Sequence, residues 1–204
     1  MTVEVPVGDR RARRHEATKA EILEVAWTLA REGGLAALSL AEIAARMGMR
    51  APSLYSYFAS KAAIYDAMFA QGYEEFLARG RRLEVTGDAV RDTRAGLRLF
   101  CEFCVQDPAR YQLMFQRTIP GFEPSAASFA LAVEALELVR RQLGAAGITE
   151  GRHLDLITAL ATGLVDQQIS NDPAGDRWLR LIDEAVDMYL AHAKPTPPKR
   201  RAKR

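Results

Sequence analysis

The stretch "LSLAEIAARMGMRAPSLYSYFASK", residues 38–61, limits what this chain can fold into more than any other. Ser39 with Glu42 three residues on is a capping-box signal, in which side chains satisfy the donors at a helix start. Leu40, Ile43, Ala44 and Met47 give the helix one apolar side, and Gly48 ends it. Pro52 suits the first turn of a second helix, where its missing N–H costs nothing. That helix is predicted from about Ala51 to Phe58, with Leu54 and Phe58 four apart on the inward side. Helices this short do not persist alone in water, so both need longer neighbours to brace them.

Those neighbours are legible. From Glu16 to Glu32 the apolar residues Ala20, Ile22, Leu23, Val25, Ala26, Trp27, Leu29 and Ala30 recur at helical spacing, up to Gly33-Gly34. Ser60 caps a longer helix through Ala63, Ile64, Ala67 and Met68. Two short helices joined by a Gly-containing turn and flanked by longer ones describe a helix-turn-helix unit. Its second helix is the one that enters a DNA major groove. That accounts for the chemistry of "APSLYSYF". Serine and tyrosine hydroxyls donate hydrogen bonds to phosphates and base edges, whereas Glu on such a surface is repelled by phosphates.

These residues resemble the DNA-binding domain of the tetracycline-repressor (TetR) family over roughly residues 16–70. The likeness rests on Ser39 opening the second helix, Ile43-Ala44, Gly48, Leu54-Tyr55, Tyr57-Phe58 and Lys61 at fixed spacing. The resemblance implies that Arg50, Ser53 and Tyr55 meet base edges, with Pro52 and Ser56 on the same helix. It implies that Ser39, Tyr57 and Lys61 hold phosphates. Ala41 and Ala51 stand where some relatives make base contacts, and alanine offers only a methyl. Arg46 can reach the backbone or remain solvated.

Charge adds a second expectation. Residues 20–75 hold four bases against seven acids, whereas residues 9–19 hold five bases with Asp9 and Glu16. DNA affinity needs phosphate neutralisation, and the arm "RRARRH" at residues 10–15 is placed to supply it, along the backbone or in a minor groove. The last eleven residues, "KPTPPKRRAKR", carry six bases and no acid and read as a solvated tail. The predicted organisation is a basic flexible arm at 1–15, a DNA-binding domain at 16–75 (helix-turn-helix about 39–58), a second domain at 80–193, and a basic disordered tail at 194–204.

Beyond residue 80 the helical period continues, and no strand pattern occurs. Helices are predicted at about 88–105, from Pro108 with Asp107 as cap, after "TIPGFEPS", and at about 150–170 and 174–192. The fold class is all-α, with about nine helices. In the family that the chain resembles, this domain binds small molecules and its last two long helices pair between subunits. The resemblance therefore implies a homodimer on a DNA operator and a small-molecule effector, with repression as the mode. Phe100, Phe103, Cys104, Tyr111, Met114, Phe115 and Phe129 are the bulky apolar candidates for an effector pocket, each also explicable as core. Arg110, Gln106 and Gln167 are possible polar anchors.

Cys101 and Cys104 sit in "FCEFC" on a helix, with no second Cys or His pair nearby. We read them as small core residues rather than a redox or metal pair. No apolar run reaches the roughly 18 residues that span a bilayer, and "MTVEVPVGDRR" lacks the pattern of a signal peptide. A cytoplasmic protein with no cofactor, metal or membrane partner is the expectation. Two other readings remain at this stage. An enzyme is disfavoured because His15, His153 and His192 are far apart and no GxSxG, GxGxxG, P-loop or HExxH occurs. A helical protein–protein module without DNA binding would show no salt-dependent affinity for duplex DNA.

Overall fold

The computed structural model describes residues 7–193. Nine α-helices form among them, in order α1 (Val7–Gly33), α2 (Leu40–Arg46), α3 (Ala51–Leu54), α4 (Lys61–Gly80), α5 (Ala89–Gln106), α6 (Pro108–Phe115), α7 (Ala126–Ala145), α8 (Gly151–Asn171) and α9 (Ile182–Ala193). Single helical turns at Leu35–Ala37 and Leu179–Leu181 complete the order, and the described residues contain no strand. The fold is all-α. The basic tail at 194–204 lies outside the described residues.

Three helix boundaries depart from expectation. The arm predicted as flexible through residue 15 is helical from Val7, as the first two turns of α1. Apolar periodicity could not reveal those turns, because residues 10–14 are exposed and bury nothing. Helix α3 ends at Leu54 rather than Phe58. Phe58 nevertheless keeps its inward position through its N–H bond to the Leu54 carbonyl at 3.0 Å. Helix α9 starts at Ile182 rather than near 174, because Gln168 organises the segment before it. Its Oε1 accepts from the Trp178 N–H at 2.9 Å, and its Nε2 donates to the carbonyls of Asp172 and Gly175.

The chain forms two compact units. The first comprises residues up to Glu75 together with Asp107–Ala132, and so combines the helix-turn-helix unit with α6 and the start of α7. Its core joins Ile22, Ala26 and Ala30 of α1, Leu35 and Leu38, Ile43 and Ala44 of α2, Leu54, Phe58, and Ile64 and Met68 of α4, all buried. Full burial of a Leu or Ile side chain contributes roughly 1.5–3 kcal/mol. Polar ties add direction: Trp27 Nε1 donates to Gln71 Oε1 at 2.7 Å, and the Tyr65 hydroxyl donates to the Leu35 carbonyl at 2.5 Å. Asp107 caps α6 by accepting from the Arg110 N–H at 3.2 Å. Gly72 lets α4 approach α6, since a Cβ there would lie 2.6 Å from Met114 Sδ.

The second unit comprises Phe76–Gln106 and the chain from Val133 onward. Leu97, Cys101, Phe103 and Cys104 of α5 share its core with Leu154, Ile157, Leu164 and Val165 of α8 and with Ile182, Val186 and Tyr189 of α9. Arg94 and Arg98 of α5 pair with Asp187 and Asp183 of α9 at 2.6 and 3.0 Å. The turn before α5 is held by Asp92, whose carboxylate accepts from Thr86 Oγ1 at 2.7 Å and from the N–H groups of Thr86 and Gly87 at 3.0 Å. Those bonds, the Thr86 hydroxyl first, hold the Asp92 carboxyl below the usual carboxylate range.

Candidate nucleic-acid interface

Helix α2 opens at Ser39, whose hydroxyl accepts from the Glu42 N–H at 3.1 Å. The turn to α3 passes through Gly48 at φ 63°, the left-handed region in which a side chain costs about 1–2 kcal/mol. The Met49 N–H bonds back to the Ala44 carbonyl at 2.8 Å, folding the turn onto α2. Arg50 is the extended residue before α3, and Pro52 stands in its first turn. Fully buried Leu54 sets the orientation of α3, so that Arg50, Pro52, Ser53, Tyr55 and Ser56 face outward. Tyr55 is 55% exposed, unusual for so large a ring. The Ser56 hydroxyl donates to the Ser53 carbonyl at 2.7 Å, leaving the Ser53 hydroxyl outward on an exposed residue.

The expected phosphate-holding residues occupy three different settings. Ser39 is exposed but already serves as the α2 cap. Tyr57 is half-buried, and its ring stacks on His15 of α1 with centroids 4.7 Å apart and planes 20° from parallel. Lys61, the first residue of α4, donates to the Ala36 carbonyl at 3.1 Å and lies 5.4 Å from the Tyr65 ring centre. Arg46 is tied to Glu32 at 2.7 Å and to Glu42 at 3.3 Å. Its hydrogen bond to Glu32 raises the Arg46 pKa and lowers that of Glu32. Arg46 therefore braces α1 against α2, whereas Arg50 faces outward beside α3.

Residues 22–68 match the sequence model of the family described as bacterial regulatory proteins, tetR family. This segment belongs to the TetR family of bacterial regulatory proteins. The HTH-type transcriptional activator FasR of Mycolicibacterium smegmatis is 28% identical over 145 residues, covering 67% of this chain and 66% of FasR. Among solved structures, a protein of Rhodococcus sp. RHA1 superposes with a TM-score of 0.73 at 18% identity, covering 86% of this chain and 95% of that one. The regulator FadR of Bacillus subtilis, solved with stearoyl-CoA, gives 0.62 at 17% identity, covering 84% and 97%. The chain is thus similar to HTH-type transcriptional regulators and spans just under two thirds of the length of FasR, and no helix among the described residues is long and apolar enough to cross a membrane.

The apolar candidates for an effector pocket are divided between the two units. Phe100, Phe103 and Cys104 belong to the second, where the rings of Phe100 and Phe103 lie 6.2 and 5.1 Å from that of Phe76. Tyr111, Met114 and Phe115 belong to the first, where Phe115 lies 5.5 Å from the Tyr73 ring and the Tyr73 hydroxyl donates to the Met114 carbonyl. Phe129, on the first turns of α7, is 54% exposed. Of the polar candidates, Arg110 is held by Glu75 and Asp107, Gln106 accepts from Arg79, and Gln167 accepts from Asn171. Burial pushes the Cys101 thiol up to about 12, which keeps it protonated and unreactive at neutral pH.

The first unit also holds an open cleft of about 390 Å³ lined by Trp27, Arg31, Gln71, Glu75 and Arg110 among others. Sequence reasoning did not find it. Its walls come from α1, α4 and α6, and pairs such as Arg31–Asp107 are 76 residues apart. The contact of His15 with Tyr57 was likewise not foreseen, His15 being read as part of the arm at residues 10–15. Its spacing four residues from Lys19 and seven from Ile22, on the inward face of α1, was the available signal.

Proposed function

We propose that this chain is a repressor that binds a palindromic operator as a homodimer and leaves it when a small, largely apolar ligand binds. The observation that carries the reading is the outward face of α3, where Arg50, Ser53 and Tyr55 stand free of the core that Leu54 anchors. Arg offers a bidentate donor to guanine, and Ser and Tyr offer single hydrogen bonds. Palindromic operators are read by two symmetry-related heads about 34–36 Å apart.

The dimer is supported by an exposed face of α8. Leu156, Ala159 and Gly163 recur there at helical spacing, and a Cβ added at Gly163 would meet nothing in its own chain. Small residues at that spacing let a second helix approach closely. The ligand class is supported by the ring cluster of Phe76, Phe100 and Phe103, and by the stearoyl-CoA in Bacillus subtilis FadR. Cytoplasmic action follows from a DNA target.

The test is selection of bound duplexes from a random pool, with wild type and Arg50→Ala/Tyr55→Ala in parallel. Enrichment of a palindrome by the wild type and its loss in the variant is the expected result. A flat pool for the wild type would remove the regulator reading in favour of a helical interaction module. The sign of regulation is read from a reporter behind the selected operator. Because FasR is named an activator, a reporter that falls when the gene is deleted would replace repression with activation.

A further inference from the structure

The folded helix-turn-helix body is short of positive charge. Residues 20–75 hold four bases against seven acids. Two of those bases are committed to ion pairs, Arg46 with Glu32 and Glu42, and Arg31 with Asp107. Arg50 and Lys61 remain, and Lys61 is already bonded to the Ala36 carbonyl. Stable duplex binding at physiological salt ordinarily uses several neutralised phosphates on each head. The missing charge must come from elsewhere in the chain.

Helix α1 continues past the point where it last touches the core. Ile22 is fully buried, Thr18 and Lys19 are half-buried, and His15 is the last inward residue. There the His15 ring stacks on Tyr57, three residues past the end of α3. The stack fixes both the distance and the rotation of the overhanging turns relative to the outward face of α3. At 100° per residue, Arg11 projects about 40° from His15 and about 6 Å further along the axis, Arg14 about 100° away, and Arg13 about 160° away. Arg11 and Arg14 are exposed and enter no ion pair among the described residues.

We propose that the overhanging turns of α1 form a second DNA contact, in which Arg11 and Arg14 meet phosphates flanking the base pairs that α3 faces. The His15–Tyr57 stack holds them there. This rests on the DNA-binding reading above and extends it. Tyr57 then serves chiefly as the platform for His15 rather than as a phosphate donor. A helix that arrives already folded carries its arginines without the ordering cost that a disordered arm bears on binding. The contact adds affinity without adding base preference, because phosphates are the same beside every sequence.

The experiment measures the affinity of the full chain for its selected operator across a salt series. Arg11→Gln/Arg14→Gln is compared with Arg13→Gln, on an operator with flanking pairs and on one trimmed to the palindrome. The expected result is a log–log salt slope shallower by roughly one for each phosphate contact removed, with base preference unchanged. Arg13→Gln keeps the wild-type slope. Trimming the flanks weakens the wild type and leaves the double variant unaffected. His15→Ala weakens the wild type and adds no loss to the double variant. A double variant with the wild-type slope, or an equal loss in Arg13→Gln, overturns the proposal while leaving the regulator reading intact. A wild type that enriches no duplex at all overturns both.

Discussion

Arg31 lays both Nε and Nη2 on one oxygen of Asp107, at 2.9 and 2.7 Å, and so ties α1 to the cap of α6. Asp107 is 3% exposed and also accepts from the backbone and the guanidinium of Arg110. One carboxylate therefore caps the start of α6 and ties that helix to α1. Losing a cap costs about 1 kcal/mol, and losing charge-assisted hydrogen bonds costs about 1.5–3 kcal/mol. Asp107→Ala is expected to lose about 2–4 kcal/mol in urea unfolding at pH 7. Asp107→Asn keeps the cap acceptor and is expected to lose about half as much. Equal midpoints for wild type and Asp107→Ala would show that the junction is not a stabilising element.

The turn between α2 and α3 isolates a backbone effect. A Cβ at Gly48 meets nothing within 4 Å, so a substitution there is resisted only by φ 63°. Gly48→Ala is expected to cost about 1–2 kcal/mol, and Gly48→Asn markedly less because asparagine tolerates the left-handed region. The check is a comparison of thermal unfolding midpoints. If alanine and asparagine cost the same, packing rather than φ controls the site.

Asp92 makes the acid limb of stability testable. Its folded pKa is depressed, chiefly by the Thr86 hydroxyl, from an ordinary 3.8. A depressed carboxylate stabilises the fold fully above its unfolded pKa and stops doing so as pH falls through the folded value. The stability difference between wild type and Asp92→Asn is therefore expected to hold constant from pH 7 to 5 and to narrow below 3.8. Unfolding curves at pH 7, 5 and 3 decide it. A difference that widens on acidification would reverse the assigned direction.

The two cysteines should behave as core. Both are buried and neither is in a disulfide, and the Cys101 thiol is pushed up to about 12. Neither is expected to react with a thiol-directed reagent at pH 8 in the folded protein, and both are expected to react in guanidinium. Cys101→Ser, which buries a hydroxyl, is expected to cost about 1–3 kcal/mol. Rapid labelling of the native protein at either position would restore a redox or metal role for the pair.

What the sequence disclosed follows from the range of each interaction. Ser39, Gly48, Pro52, Ser60 and Asp107 act within four residues of themselves, and each was readable as a cap, turn or helix start. The start of α1 was not readable, because an exposed basic helix carries no apolar period. The Leu54/Phe58 spacing suggested helix to residue 58, yet the same pair packs inward through a turn. Within the site, the exposure of Arg50, Ser53 and Tyr55 around buried Leu54 follows the local pattern. The partners of Tyr57, Lys61 and Arg46 were not, since His15, Ala36 and Glu32 are 14–42 residues away in sequence and meet them only in the folded unit.

The exposed face of α8 gives the dimer a test that unfolding cannot imitate. Gly163 lies mid-helix with open space where a side chain would go. Replacing a helical glycine by a larger residue favours the helix by up to about 1 kcal/mol, so Gly163→Trp should leave the single chain folded. It would, however, hold a second α8 away from Ala159 and Gly163. The expected result is a wild-type helical spectrum, a monomer by sedimentation, and loss of the palindromic operator with residual binding to single half-sites. If Gly163→Trp still sediments as a dimer, α8 does not form the subunit contact through this face.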